Sequence, residues 1–438
     1  MPKKGSSGRL TAAADPWVGS RKLTADYAIS AENDMIIESL HTLDDVRKSF
    51  NSATSRTDRS QIGQFLTPAA IAQFMSSMFE TDLREVRILD PGAGAGVLFA
   101  ACVETMISGK NRPLSIEVVA YETDSTILPY LEETMKRCQS LCTSEDIAFR
   151  GIVKGEDFVS AALAETRDSL FAVPGRRFTH AILNPPYKKI NSQTAMSRML
   201  YSSDIEVANL YAVFVWLSMR LLEPVGQIVA ITPRSFCNGP YFKKFRATFL
   251  RTMSLTRIHV FESRKKAFGD DDVLQENIIY HAIREPQKLK SVTISTSEGL
   301  EFEKTRTQSV PYSRVVHPGD RDMFIHLGVD DTNVSLAERM ECFTSSLNRL
   351  GLSVSTGRVV DFRARKHLRQ SLQQGTVPLI YPCHFQDGFI NWPVESGKKP
   401  NAIVSSSETS DLLVEAGFYV LTKRFSSKEQ HRRVMAAI

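Results

Sequence analysis

Apolar residues in the first two thirds of this chain recur in two alternating rhythms. Short continuous runs at Val86–Leu89, Ile116–Tyr121, Ile147–Val153, Thr179–Leu183 and Gln227–Ile231 read as buried strands. Between them, Val97–Ile107, Ile127–Cys142 and Val207–Leu222 carry apolar positions at helical spacing, and Tyr241–Leu250 follows the fifth run in the same way. Strands separated by helices predict βαβ units and a parallel sheet covered on both faces. Arg257–Phe261 and Ile278–Ile283 bring the strands to seven. Only a loop separates these two, so an antiparallel pair at one edge is expected. The pattern predicts an α/β, doubly wound, mostly parallel sheet.

The flanks have a different character. Residues 1–32 are rich in Gly, Ser, Lys and Arg and are expected to be flexible. A helical pattern begins at Asn33, through Ile36, Ile37, Leu40 and Leu43, and Asn51–Ser60 is polar without periodicity. After Leu300 short apolar runs alternate with Ser, Thr, Gly and Pro and the βαβ rhythm is lost. The expected division is 1–32, 33–300 and 301–438. The last residues, Arg432–Ile438, read as the middle of an amphipathic helix without a stop signal, as in a chain that continues.

With 438 residues there is room for two or three domains, and 42% hydrophobic and 24% charged residues are ordinary for a soluble protein. The net charge of +5 permits a nucleic-acid partner without requiring one. Its distribution is more telling: residues 331–438 hold 14 Lys+Arg against 10 Asp+Glu. Within them Arg358, Arg363, Arg365, Lys366, His367 and Arg369 cluster around Phe362. Of six scattered cysteines only Cys138 and Cys142 are close, which suggests core thiols on one helix face rather than a metal site or a disulfide framework. No apolar segment follows the charged N-terminus, and Val207–Leu222 is too short and polar to span a bilayer. A soluble, cytoplasmic protein is expected.

Chemistry gathers where the strands end. Asp90-Pro91-Gly92-Ala93-Gly94-Ala95-Gly96 closes the first strand. Glycines at every second position allow a sharp turn and close approach to a ligand, and the next helix offers its N-terminus. The third glycine comes one residue earlier than in the dinucleotide pattern. Glu122 ends the second strand, where a carboxylate can accept both hydroxyls of a ribose. Asp157 and Phe158 follow the third, an acceptor for an exocyclic amine and a ring to lie against a base. Singly, these are also a tight turn and solubilising acids. In order, they lie at the carboxyl ends of strands, where open α/β sheets bind ligands. At the end of the fourth strand Asn184-Pro185-Pro186-Tyr187 stops the run. The prolines fix φ and hold Asn184 extended. The loop presents an amide, a backbone carbonyl and an aromatic face, a set suited to holding a planar amine.

These motifs together resemble the amino-methyltransferases of DNA, specifically the adenine-N6 class of bacterial restriction–modification systems in its γ arrangement. The resemblance covers Gly63 to Glu285 by motif and the rest by position. It implies S-adenosylmethionine as cofactor, and a seven-stranded methyltransferase sheet followed by a target-recognition domain. It places Thr67 and Pro68 over the methionine end of the cofactor, with Asp90, Gly92, Gly94 and Gly96 beside the sulfonium-bearing amino acid. Glu122 falls at the ribose and Asp157 with Phe158 at the adenine. Asn184, Pro185, Pro186 and Tyr187 form the catalytic loop, and Phe268 joins Tyr187 in stacking on a flipped base. Read without the resemblance, Thr67 is the N-cap of a helix with Pro68 at its first position, and Phe268 a core ring.

Double-stranded DNA is the implied partner, with Lys188, Lys189, Arg363, Arg365, Lys366 and Arg369 as contacts, although the arginine cluster also reads as a solvated face. A separate cognate restriction endonuclease acting on the same sequence is implied, and no metal is. Enzymes that methylate a protein glutamine or an RNA base share the glycine loop and Asn-Pro-Pro-Tyr. The 138 residues after position 300 favour DNA over these. No paired-carboxylate-plus-lysine nuclease motif is evident, so a bifunctional restriction enzyme would carry its nuclease elsewhere.

Overall fold

Continuous apolar runs become central strands because both their faces are covered. Ile88, Val118, Ile182, Val229 and Ile279 are buried in one core cluster, and their neighbours Leu89, Val119, Ala181, Ile228 and Tyr280 in another on the opposite face. The computed structural model describes residues 67–167, 177–191, 193–201, 207, 209–262, 276–285, 287–328, 342–345, 347–395, 397–424 and 434–438. The N-terminal segment, the helical pattern from Asn33, and Phe268 lie outside the described residues.

The sheet contains β1 (Glu85–Asp90), β2 (Ser115–Tyr121), β3 (Ala148–Lys154), β4 (Phe178–Leu183), β5 (Leu222–Pro233), β6 (Ser254–Phe261), β7 (Asn277–Ile283), β8 (Ser291–Ser297) and β9 (Arg306–Pro311). Their order is β3-β2-β1-β4-β5-β7-β6-β8-β9. Strands β1 to β5 pair in parallel, and β7 runs antiparallel between β5 and β6. The antiparallel strand is thus internal rather than at the edge. A helix carries the chain from β5 past one strand position to β6, and β7 returns into the gap.

One face is covered by α1 (Ala69–Ser76), α2 (Val97–Ser108) and α3 (Leu128–Ser144), which holds Cys138 and Cys142 in the core. The other is covered by α4 (Phe158–Arg167), α5 (Ala195–Tyr201), α6 (Leu210–Leu221) and α7 (Lys243–Thr252). Strand β5 starts earlier than its apolar run, at Leu222. Its register slips against β4 between Phe178 and His180, and Val225 there takes φ 64°. Among the described residues no helix is long and apolar enough to cross a membrane.

Two compact units divide between Leu336 and Ala337. The first extends past residue 300 because β8 pairs parallel to β6 and β9 antiparallel to β8, burying Val292, Ile294 and Val310. The nine strands are therefore the seven expected and two more. In the second unit short strands dominate: Leu368–Arg369, Ala402–Val404 and Thr376–Pro378 form one antiparallel sheet. Asn401 organises it, accepting from His384 Nε2 at 3.0 Å and the Val394 amide at 3.0 Å and donating to the Gln370 carbonyl at 3.0 Å. The C-terminal residues do not form the expected helix; Ala436–Ala437 is a strand paired with Leu421–Thr422.

At the end of the sheet opposite the strand C-termini, buried polar groups tie α1 to the strands. Gln227 on β5 accepts from the Glu80 amide at 2.9 Å and donates to the Glu80 carbonyl at 3.0 Å. His281 Nε2 donates to the same Gln227 oxygen at 2.9 Å, and its Nδ1 faces the Thr256 hydroxyl. His180 Nδ1 meets the Thr179 hydroxyl at 2.8 Å and its Nε2 the Glu80 carbonyl at 3.3 Å. Each ring can use one donor and one acceptor, as the neutral form provides. Burial pushes His180 down to about 4 and His281 to about 3, and burial alone lowers His259 to about 4.

In the unfolded chain these rings take up protons near pH 6.5, so their contribution is complete above that pH and is lost as pH falls toward 4. The denaturant midpoint should therefore drop between pH 6.5 and 4. The cost at full protonation is on the order of 3 kcal/mol per histidine, and His281→Gln should flatten the slope. A midpoint that does not move over this interval would contradict the neutral network.

Candidate active site

The glycine loop between β1 and α2 is shaped by backbone geometry that side chains oppose. Gly94 and Gly96 adopt φ 55° and 90°. A Cβ on Gly96 would lie 2.6 Å from the Phe99 ring, so only glycine is accommodated there. The turn closes through the Gly96 amide to the Ala93 carbonyl at 2.8 Å. From α3 the buried Thr134 hydroxyl donates to the Ala95 carbonyl at 2.7 Å, locking the loop from behind. Sequence reasoning missed this residue; its one signal is a hydroxyl on the apolar face of α3, three positions after Leu131.

Three carboxylates stand around the loop in different states. Asp90 is fully buried at the end of β1, and neither oxygen has a hydrogen-bond partner. Burial raises its pKa to about 8; the Gly92 and Phe99 amides point at it and lower it in part without closing bonds of normal geometry, and Glu122 raises it slightly. Glu122 is buried at the end of β2. Its Oε2 accepts from the Gly94 amide at 2.9 Å, and its Oε1 from the Thr123 and Asp124 amides at 2.8 Å each. It thereby couples the glycine loop to the β2 turn. Asp157 Oδ1 accepts from the Ser160 amide at 2.8 Å and hydroxyl at 2.7 Å, capping the first turn of α4. Phe158 is 2% exposed, with ring centroids 5.2 Å from Tyr121 and 5.1 Å from Phe214. It packs into the core at the end of β3 beside the glycine-loop strand ends.

Thr67 and Pro68 precede α1. Pro68, at φ −61° and ψ 144°, takes the N-cap place expected for Thr67, and no side chain caps the helix. The Thr67 hydroxyl is used elsewhere: it accepts from Asn184 Nδ2 at 2.9 Å. In this arrangement the Nδ2 end of the Asn184 amide faces Thr67. Its Oδ1 meets the Tyr187 hydroxyl at 3.2 Å, and the same hydroxyl lies 3.3 Å from the Ile231 carbonyl of β5. Burial, with Tyr211 nearby, pushes the Tyr187 phenol well above its ordinary range, so it is a donor at any physiological pH. Pro185 is buried beneath the loop, and Lys188 and Lys189 are exposed beyond it.

The loop at the end of β1, Glu122, and the Asn184 loop thus converge at the carboxyl ends of β1, β2 and β4, with Thr67 bridging to the last of these. A buried carboxylate without partners suits a ligand ammonium group, and a carboxylate at the β2 end suits a ribose. The residues present fit an S-adenosyl amino acid. The remaining candidates belong to the second unit. There Lys366 pairs with Glu408 at 2.6 Å, Arg369 bonds the Lys366 and Leu368 carbonyls at 2.9 and 2.8 Å, and Arg363 lies 5.5 Å from the Phe362 ring centroid. Arg365 is exposed in the same turn.

Comparison with known proteins identifies the family. Residues 131–268 match the family described as Eco57I restriction-modification methylase. The chain is 39% identical over 396 residues to the Type II methyltransferase M.PstI of Providencia stuartii, covering 90% of this chain and 77% of the relative. It is 40% identical over 402 residues to the Type II methyltransferase M.BsuBI of Bacillus subtilis, covering 91% and 78%. Among solved structures, one described as a modification subunit of a type I restriction enzyme from Vibrio vulnificus aligns with TM-score 0.50 and 15% identity. It covers 71% of this chain and 67% of that one, a likeness of fold.

The orphaned carboxylate makes a direct prediction. Asp90→Asn keeps the shape of the neutral carboxyl but cannot ionise opposite a cationic ligand, so the fold should melt within a few degrees of the wild type. Affinity for S-adenosylmethionine, measured by calorimetry, should fall about tenfold or more, as for a lost charge-assisted contact. Unchanged affinity would make Asp90 a structural residue only.

Proposed function

Because the chain belongs to the type II restriction–modification DNA methyltransferases, which use S-adenosylmethionine, we propose that it methylates the exocyclic N6 of an adenine rotated out of duplex DNA. The observation that carries this reading is the orientation of Asn184, whose Nδ2 donates to Thr67 so that Oδ1 is the acceptor end of the amide, on the Tyr187 side. An adenine amine is a weak nucleophile because its lone pair is delocalised into the ring. Two acceptors, Asn184 Oδ1 and the Pro185 carbonyl, would draw both amine protons and localise that pair on nitrogen. The Tyr187 hydroxyl now donates to Asn184 Oδ1; a carbonyl oxygen has a second lone pair for the amine.

Bound S-adenosylmethionine supplies an activated methyl group. On this reading Asp90, the glycine loop, Thr67 and Pro68 hold its amino-acid end, Glu122 its ribose and Asp157 its adenine. The chain's own contribution is orientation, which accounts for much of the acceleration when two reactants are held face to face. A base inside a duplex cannot reach such a pocket, so the target must leave the stack. Tyr187 and Phe268 are assigned to stack on it. The unit from Ala337 onward, with Arg363, Arg365, Lys366 and Arg369, is assigned to grip phosphates and read guanine edges, alongside Lys188 and Lys189. A separate endonuclease cutting the same sequence is the expected companion.

Incubation with labelled S-adenosylmethionine and duplex DNA, RNA or protein extract, followed by hydrolysis, should yield N6-methyladenine from DNA alone. Asn184→Ala should lower the rate about 100-fold or more, in line with removal of one preorganised polar group. Label in N4-methylcytosine, RNA or protein, or an undiminished rate in the variant, would overturn the proposal.

A further inference from the structure

A second buried asparagine stands on the same edge of the sheet as Asn184. Asn277 opens β7, and because β7 is antiparallel its first residue lies at the carboxyl end of β5, paired with Pro233. Strand alternation sets its face. Ile279, two residues on, belongs to the core cluster that contains Ile182, Ile231 and the α1 residues Ile71 and Met75. Asn184 follows Ile182 by two and reaches Thr67 at the head of the same helix. The two amides therefore share one face, separated by β5: two strand spacings across, about 10 Å, with Asn277 about two residues, roughly 7 Å, further along the strand direction. Between them Ile231 gives its carbonyl to Tyr187.

Asn277 is 4% exposed, and neither its Nδ2 nor its Oδ1 has a hydrogen-bond partner. Buried amides are nearly always satisfied, so one left open on both atoms beside a catalytic loop marks a place for a polar ligand. The core needs no amide there: its neighbours on the strand, Ile278 and Ile279, are fully apolar and buried.

We infer that Asn277 is a specificity-determining residue of the base pocket, its Nδ2 donating to the ring nitrogen that flanks the methylated amine. This rests on the adenine reading above. Asn184 Oδ1 and the Pro185 carbonyl are acceptors and suffice for the two protons of the amine. They leave the ring itself unread. Adenine presents an acceptor on either side of its amine, N1 and N7, and a side-chain amide supplies the matching donor. Guanine carries an oxygen in place of the amine and is rejected by Asn184; its N1 proton also repels the Asn277 donor where N1 is the nitrogen read. Asn277 transfers no proton; it positions the ring so that the amine meets Asn184.

The test uses the full chain and duplexes carrying the adenine that the wild type methylates, with that base replaced by 1-deaza-adenine or 7-deaza-adenine. The wild type should lose about tenfold in kcat/KM on one of the two analogues, the fold-change of one lost hydrogen bond to a buried polar group. Asn277→Ala should lose a similar factor on adenine and show no further loss on that analogue. Asn277→Ser, smaller and still polar, guards against a folding defect, and both variants should keep wild-type affinity for S-adenosylmethionine. Equal losses by the variants on all three bases would make Asn277 structural and overturn the inference while leaving adenine methylation intact. So would variants as active as the wild type. A wild type that methylates no adenine would remove the function reading itself, and the inference with it.

Discussion

The hydrogen bond from Asn184 Nδ2 to the Thr67 hydroxyl, 2.9 Å long and largely buried, is the constraint on which the site depends. An asparagine amide has two chemically opposite ends, and rotation by half a turn would present a donor where an acceptor is required. With the Thr67 hydroxyl as acceptor, Nδ2 faces the threonine and Oδ1 the Tyr187 hydroxyl. The threonine in turn is held by α1, which Gln227, His180 and His281 anchor at the far end of the sheet. The chemistry at one edge thus rests on the neutral polar network at the other.

The cofactor side has the same logic of side chains committed to backbone. Glu122 spends its two oxygens on three amides and so makes the glycine loop and the β2 turn one body. Thr134 braces that loop from α3. Asp90, by contrast, is left unsatisfied, with its proton held by burial. An open carboxylate in the core is what a cationic ligand would complete. The unfilled amide of Asn277 has the same character on the target side.

Much of this was legible in the chain. The central strands could be read because burial on both faces makes them continuous apolar runs, and Asn184-Pro185-Pro186-Tyr187 could be read because proline leaves few conformations. The glycine loop was legible for the same reason: Gly96 sits where no Cβ fits. What was not legible depends on contacts distant in sequence. Nothing local says that β7 enters between β5 and β6, or that β9, with Val310 its one buried residue, belongs to the sheet. His180 and His281 look like interruptions in apolar strands until their partners on other strands are known. Thr67 preceding Pro68 looks like a helix cap, and only the fold reveals that its hydroxyl faces Asn184. Phe158 follows a strand as a base-stacking ring would, and its neighbours Tyr121 and Phe214 come from distant parts of the chain.

The central claim, that Thr67 sets the direction of the Asn184 amide, is tested most directly by single-turnover methylation with S-adenosylmethionine and DNA both saturating. Thr67→Val keeps the shape and removes the acceptor; Thr67→Ser keeps the acceptor. The account predicts that the valine variant transfers methyl at least about tenfold more slowly and that the serine variant stays near the wild-type rate. Equal rates for valine and wild type under saturation would contradict it.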